Sequence, residues 1–180
     1  LPSLNKARSR ARSIECVNRL KQVGNMINFY CDDNNDFIPR IDGTMIISSG
    51  AVKQGSWASY LYNGHYAGGI GSSIFDQAAY SNLFCPVLPR TSTAAGDFPY
   101  ETYGLNSWLA GAPVSGVWPT VKRSRACLKV PSQGWVIKNN PSKTLLAGDS
   151  VNATGKKQSV YLNYWAAGQV HMRHLDQSNA

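Results

Sequence analysis

The chain has 180 residues, of which 43% are hydrophobic and 16% are charged, and these values indicate one globular domain. It contains no run of eighteen apolar residues, which excludes a membrane-spanning helix within this stretch. The formal net charge is +8, and six Lys and Arg residues fall between positions 6 and 21, where Glu15 is the single acid. This basic segment favours an anionic partner. Lipid head groups or acidic neighbouring molecules are our preferred candidates, and an ordinary solvated face is the alternative.

The first predicted element is a long amphipathic helix from Ser3 to about Cys31. A helix of that length measures roughly 43 Å, more than the diameter of a domain of this size, so one end should project from the body or pack on another molecule. Acids at positions 32, 33 and 36 oppose the helix macrodipole and mark where the chain leaves the helix. Apolar or small residues recur every three or four positions, the spacing of one helix face, at Leu4, Ala7, Ala11, Ile14, Val17, Leu20, Val23, Ile27 and Tyr30.

The apolar residues change in size along this helix. The first half carries a thin stripe set between Arg residues, and we predict that it contacts another helix rather than a core. The second half, from Val17 to Tyr30, carries bulkier side chains and should lie on a sheet of the same domain. A long surface helix with frayed first turns is the alternative. The predicted assembly face consists of Leu4, Ala7, Ala11 and Ile14.

The four cysteines, Cys16, Cys31, Cys85 and Cys127, form neither a CxxC pair nor a zinc-site spacing. On one helix Cys16 and Cys31 would lie about 22 Å apart, whereas the Cα atoms of bonded cysteines lie within ~7 Å. An even count in a chain rich in Trp and Tyr favours an oxidising compartment. We therefore predict disulfides that join the two helix cysteines, in either order, to Cys85 and Cys127. Four buried thiols are the alternative.

Beyond the helix the sequence predicts short strands separated by irregular loops. Residues 57–62 fit either a short helix or a strand, and the Gly-rich residues 64–73 predict a loop. One helix followed by strands predicts an α+β fold, with the long helix packed on an antiparallel sheet that carries long loops. We expect the last two strands to pair with each other. Strand patterns occur at 45–47, 100–108, 143–149, 158–165 and 169–174.

The sequence offers no catalytic or cofactor-binding set. Serine-hydrolase, P-loop and dinucleotide-binding motifs are absent from it, and Cys85 has no His nearby in sequence to act as a base. His171 and His174 lie three residues apart on a predicted strand and would point to opposite sides, which disfavours a metal site. The Asp/Asn cluster at 32–36 fits a turn better than a calcium site. We predict no enzymatic activity, cofactor or metal.

Aromatic and basic residues leave two binding functions to weigh. The five Trp and nine Tyr would suit a sugar-binding groove, although such residues more often fill the core of a small sheet domain. A cell-surface glycan-binding module is therefore the alternative function. A second basic cluster, at residues 122–129, lacks interleaved aromatic residues and matches no nucleic-acid-binding module. We expect no nucleic-acid partner.

Three segments of the first 39 residues carry a family resemblance. Residues 1–8, 16–24 and 30–39 read LPSLNKAR, CVNRLKQVG and YCDDNNDFIP. They resemble the bacterial type IV pilin-like proteins, the pseudopilins of type II secretion. More narrowly, they are similar to the subgroup with a prepilin-type N-terminal cleavage/methylation segment and a C-terminal His-x9-Asp-Gly motif, whose histidine would be His174. Weaker matches follow in the family's order at 57–61, 84–86, 103–106, 141–149 and 173–179.

The resemblance implies a single pilin-like domain, in which residues 1–33 are a helix without its membrane-spanning half and residues 34–180 form the globular part. A cleavage site and an apolar segment of ~20 residues would precede Leu1, and the Asp-Gly pair would follow Ala180. The family assembles with other pilin-like subunits and the secretion machinery into a periplasmic filament. The protein would then be a single-pass protein of the inner membrane with a periplasmic or extracellular domain, and its basic helix start would lie at head-group level.

Overall fold

The computed structural model describes residues 2–46, 52–67, 82–86, 102–106, 122, 147–148, 150–151, 161–162 and 169–170. Its first element is a helix of 32 residues, α1 (Pro2–Asp33), which confirms the predicted long helix. A hairpin and a short helix follow, namely β1 (Asp42–Ile46), β2 (Val52–Ser56) and α2 (Trp57–Asn63). The remaining strands are β3 (Gly104–Asn106), β4 (Ala147–Gly148), β5 (Ser150–Val151), β6 (Tyr161–Leu162) and β7 (Gln169–Val170). This order gives an α+β fold.

The strands form three small groups, and their pairing differs from the prediction in two places. β1 and β2 are antiparallel, and β3 lies between β4, which is antiparallel to it, and β6, which is parallel to it. The predicted antiparallel sheet is confirmed for β1 and β2, whereas β3 and β6 are parallel. In the described residues β7 pairs with β5, so the predicted partner of the last strand was wrong. Alternating side chains indicate that a segment is a strand but specify neither its direction nor its partner.

A single apolar core joins the second half of α1 to α2. Ile27 of α1 is 1% exposed, and Trp57 and Leu61 of α2 are fully buried beside it in the same cluster. Burial of one such side chain contributes about 1.5–3 kcal/mol to the free energy of unfolding. Further buried members come from α1, from the segment between α1 and β1, and from the segments after α2, namely Cys16, Val23, Cys31, Ile41, Leu83, Cys85, Tyr103 and Leu105.

The apolar stripe predicted on α1 divides into two faces. From Leu4 to Tyr30 its steps average about 3.25 residues, which is shorter than the 3.6 residues of a helical turn, so the series winds around the helix. Val17, which we expected to face the body, is 47% exposed. Leu20 and Tyr30 pack at the edge of the core, and Ile27 lies within it.

The chain leaves α1 through a turn at residues 34–36. Asn35 (φ 53°) and Asp36 (φ 69°) adopt the left-handed backbone conformation, which Asn and Asp tolerate better than most residues. The amide of Asp36 donates to the Cys31 carbonyl at 2.8 Å, and the side-chain amide of Asn34 donates to the Tyr30 carbonyl at 2.8 Å. These hydrogen bonds satisfy carbonyl groups that have no donor within the helix because they lie in its last turn. The predicted exit at the acidic cluster is confirmed.

The segment 57–62, which the sequence left ambiguous, is helical. Ser56 precedes α2, and its backbone amide donates to Ser59 Oγ at 3.3 Å, an arrangement typical of a helix start. The Trp57 amide donates to the Ile41 carbonyl at 3.0 Å, which ties α2 to the end of the segment that leaves α1.

Two isoleucines of α1 give a matched test of this packing. We expect Ile27→Ala to lower the free energy of unfolding by about 2–5 kcal/mol, because it leaves a cavity in the core. Ile14 is 62% exposed, so Ile14→Ala should change it by no more than ~0.5 kcal/mol. Urea unfolding followed by circular dichroism measures both. Equal losses for the two variants would contradict the division of α1 into two faces.

Candidate functional site

The four residues of the predicted assembly face lie together on one exposed side of α1. At 100° per residue, Leu4, Ala7, Ala11 and Ile14 occupy a sector of about 80°. Leu4 is 55% exposed and Ile14 is 62% exposed, and both alanines are also exposed. Between Ser3 and Glu15 the least exposed side chains are the half-buried Ser9 and Ser13. Before Cys16, α1 therefore contributes no side chain to the described core and presents this face to the surroundings.

The exposed sector points away from the body. The buried residues Cys16, Val23, Ile27 and Cys31 centre on a direction about 180° from it around the helix axis. Phe29 belongs to the exposed sector, because it follows Ala11 by 18 residues, or five helical turns, and it is 61% exposed. Sequence reasoning missed Phe29, although its angular position on the helix was enough to place it there.

Uncharged residues make this sector continuous. The positions between Ile14 and Phe29 in the same direction are Asn18, Gln22 and Asn25, all of them exposed. We call the whole series the outer face, and it comprises Leu4, Ala7, Ala11, Ile14, Asn18, Gln22, Asn25 and Phe29. It runs for about 38 Å without a charged residue, is apolar at its two ends and is polar in its middle.

Charges of opposite sign lie at the two ends of α1. Four exposed basic residues surround the start of the outer face, and at its far end Asp32 and Asp33 are exposed and Asp36 is half-buried. The carboxylate of Asp33 accepts a hydrogen bond from the Tyr66 hydroxyl at 2.8 Å, which keeps it on the surface beside the helix end. The basic residues are Lys6, Arg8, Arg10 and Arg12.

Contacts around Arg19 mark the point where α1 joins the body. The Arg19 guanidinium donates to the Phe84 carbonyl at 3.1 Å and to the Glu15 carboxylate at 2.6 Å, and it lies 5.6 Å from the centre of the Phe84 ring. One turn earlier, Cys16 Sγ lies 3.2 Å from the Tyr103 hydroxyl. The Tyr103 amide in turn donates to the Leu83 carbonyl at 2.8 Å. The segments around Leu83 and Tyr103 thus hold the helix where its exposed half begins.

Three of the four predicted disulfide cysteines lie in the described core. Cys16 is 1% exposed, and Cys31 and Cys85 are fully buried. Because α1 is continuous, Cys16 and Cys31 are separated by about 22 Å along it, as the sequence predicted. Cys127, like His171 and His174, lies outside the described residues. The disulfide pairing stays a prediction.

A tyrosine cluster fixes the other end of α1. The rings of Tyr30 and Tyr66 meet edge to face with centres 5.6 Å apart, and the Asn34 amide lies 3.4 Å from the Tyr66 hydroxyl. Gly64 is required here, because a Cβ at that position would overlap the Tyr66 ring. Burial, assisted by the neighbouring hydroxyls of Tyr60 and Tyr66, raises the pKa of Tyr30 to about 12. Burial and the hydrogen bond to Asp33 also raise the pKa of Tyr66.

The described residues provide little for the alternative functions. Trp57 is fully buried in the core and cannot stack on a sugar, and the other four Trp residues lie outside the described ranges. Within those ranges no three His, Cys, Asp or Glu side chains come together as a metal site. Lys122 pairs with Phe37 through an isolated bridge, and its ammonium lies 5.3 Å from the centre of that ring.

Comparisons of the chain with protein-family models, with curated proteins and with solved structures return no match in any of the three. The pilin-like resemblance therefore remains an expectation from the sequence. Among the described helices, none combines the length and the apolar composition that crossing a bilayer requires.

The raised pKa of Tyr30 predicts a loss of stability in alkali. Below pH 10 the phenol is protonated in both states. Between pH 10 and about 12 the unfolded chain releases this proton while the folded chain keeps it. The free energy of unfolding therefore falls as the pH rises through that window. We expect Tyr30→Phe to flatten the decline measured by urea unfolding at pH 9, 10 and 11. Phe29→Leu, which removes no ionisable group, should keep the wild-type slope. Equal slopes for all three proteins would contradict the prediction.

The cysteine prediction has a direct chemical test. We expect the oxidised chain to gain two hydrogen atoms of mass per bridge on reduction, with at least one bridge present. Peptide mapping without reductant should then show Cys16 and Cys31 linked to Cys85 or Cys127 and never to each other, because α1 holds them too far apart. Four alkylatable thiols in the denatured, unreduced protein would refute the oxidising-compartment argument.

Proposed function

We propose that this chain is a structural, pilin-like subunit without enzymatic activity. In its full-length form an apolar segment preceding the long helix holds it in the inner membrane, and its globular part lies in the periplasm. Copies assemble through the N-terminal half of α1 with other pilin-like subunits and the secretion machinery. The product is a pseudopilus-like filament that serves protein secretion.

The observation that carries this proposal is the state of α1 before Cys16. This helix of 32 residues has a core-facing side from Cys16 onward, and the preceding residues expose an apolar face that the described part of the body does not cover. Leu4 and Ile14 together with two alanines form a narrow, shallow surface that suits the close approach of another helix. The family resemblance of residues 1–39 gives this exposed half-helix a role, namely lateral packing of subunits.

The charge around the exposed half of α1 supports the same role. Four exposed basic residues lie between Lys6 and Arg12, with no acid among them. A cluster of Lys and Arg residues next to a bilayer is attracted by the phosphates of anionic lipid head groups. A helix that emerges from the membrane just before Leu4 would place these charges at the head groups.

The first test is the reading of the gene upstream of residue 1. We expect codons for a Gly-Phe-Thr-Leu-Ile-Glu-like cleavage site followed by about 20 apolar residues, the length that spans a bilayer. A hydrophilic upstream sequence would contradict the membrane anchor and with it the proposed assembly.

The second test separates the assembly face from the rest of the helix. We expect Ala7→Arg in the full-length protein to abolish sedimentable filaments in cells, because it places a large charge in the narrow contact. Asn5→Arg is the matched control, since Asn5 is exposed in the same turn but lies about 140° from the outer face. Urea unfolding should give wild-type stability for both variants. Filaments that survive Ala7→Arg, or that are lost equally in both variants, would overturn the proposal.

A further inference from the structure

We propose that the basic start of α1 lies beside the acidic end of α1 in a second copy of the chain. The two helices are parallel and are offset by about 20 residues, or roughly 30 Å along their axes. This inference rests on the proposed function for one point, namely that the helices of neighbouring copies run in the same direction. It adds the residues that are in contact and the axial offset between the two helices.

The arrangement of charge on α1 is the first argument. A helix is stabilised by acids in its first turn and by bases in its last turn, at about 0.3–1 kcal/mol each, and α1 has neither. Instead four of its six basic residues lie in the first third and two of its three acids at the end, which is unfavourable for the helix taken alone. A second copy, shifted along the axis, brings the basic segment of one helix level with the acidic end of the other. The basic residues of one copy and the acids of the other, which are unfavourably placed within a single helix, then attract each other.

The shape of the outer face is the second argument and sets the offset. Phe29 is a large side chain with 61% of its surface exposed, and the same face carries only the small Ala7 and Ala11 near its start. An offset of 20 residues places Phe29 of one copy between these two alanines of the next, so that a bulky ring fills a shallow surface. The same offset brings Asp32 level with Arg12. When the outer faces of two parallel helices meet, the side of one helix that carries Asp32 lies next to the side of the other helix that carries Arg8 and Arg12.

The polar middle of the outer face favours this offset over an antiparallel pair. An antiparallel dimer with matched charges would press Asn18, Gln22 and Asn25 of the two copies together along its centre. The staggered contact uses only the two apolar ends and leaves the middle in water, where these side chains keep their hydration. The described part of the body packs on the opposite side of α1 and obstructs neither arrangement.

Photo-cross-linking of the 180-residue chain tests the register. p-Benzoylphenylalanine in place of Phe29, in a mixture of copies labelled with nitrogen-14 and nitrogen-15, identifies cross-links between copies by mass spectrometry. We expect them at residues 6–12 of the second copy at low salt. The same probe in place of Asn18 should give no cross-link to residues 16–24. Cross-links from Asn18 to that segment would establish the antiparallel dimer, and cross-links from Phe29 to residues 25–33 would establish packing in register. Either result, or the absence of cross-links from Phe29, overturns the proposal.

Charge exchange tests the electrostatic part. We expect Arg12→Glu or Asp32→Lys alone to lower the cross-link yield from position 29 by about fivefold, and the double variant to restore it, because the pair is then reversed but still opposite in sign. Lys21→Glu, an exposed change midway along α1, should leave the yield unchanged. Raising the salt concentration from 0.01 to 1 M should also lower the cross-link yield from position 29, because it shortens the electrostatic screening length from ~30 to ~3 Å. A double variant no better than either single variant would overturn the charge pairing.

These results are distinguishable from failure of the proposed function. Filaments that form in cells while Phe29 cross-links outside residues 6–12 would refute the register and leave the assembly role standing. The expected cross-links together with a hydrophilic upstream sequence would refute the membrane-anchored role and leave a contact between copies.

Discussion

The packing of α1 residues from Cys16 to Cys31 against α2 and the Tyr103 segment is the contact on which the rest of the described structure depends. It fixes the rotation of the helix about its own axis, and that rotation decides which residues face outward. Because Arg19 and Cys16 end this contact on one side, the residues before them contribute no side chain to the described core. The exposed position of Leu4 and Ile14 is therefore a consequence of burying Ile27.

The sequence was sufficient to predict the long helix but not its rotation. Spacing of three or four residues and the absence of Gly or Pro before Gly24 identified α1, and the acids from Asp32 marked its end. The error was to assign residues that face the body and residues that face away from it to the same helix face. A series averaging about 3.25 residues per step cannot stay on one side of a helix over 26 residues. Phe29 was overlooked because the series passes from Ile27 to Tyr30 and leaves it out.

Strand pairing could not be predicted from the sequence, for a different reason. An alternating pattern such as that at residues 158–165 distinguishes the two faces of a strand but does not specify the strand beside it or the register. Direction is decided by the connection, and the long segment between Asn106 and Tyr161 is able to bring β6 back parallel to β3. Local patterns describe neither effect, because both depend on where distant parts of the chain meet.

The two faces of α1 divide stability from association. The inner face gains its free energy from apolar burial, which is insensitive to salt and needs no partner. The outer face carries small apolar patches, with charged residues beside its two ends, and single contacts of these kinds are worth little in water. Such contacts become effective when many copies are held side by side, because each further contact is then made at high local concentration. A helix with these two faces can therefore remain folded as one molecule and still associate strongly when it is held in a filament.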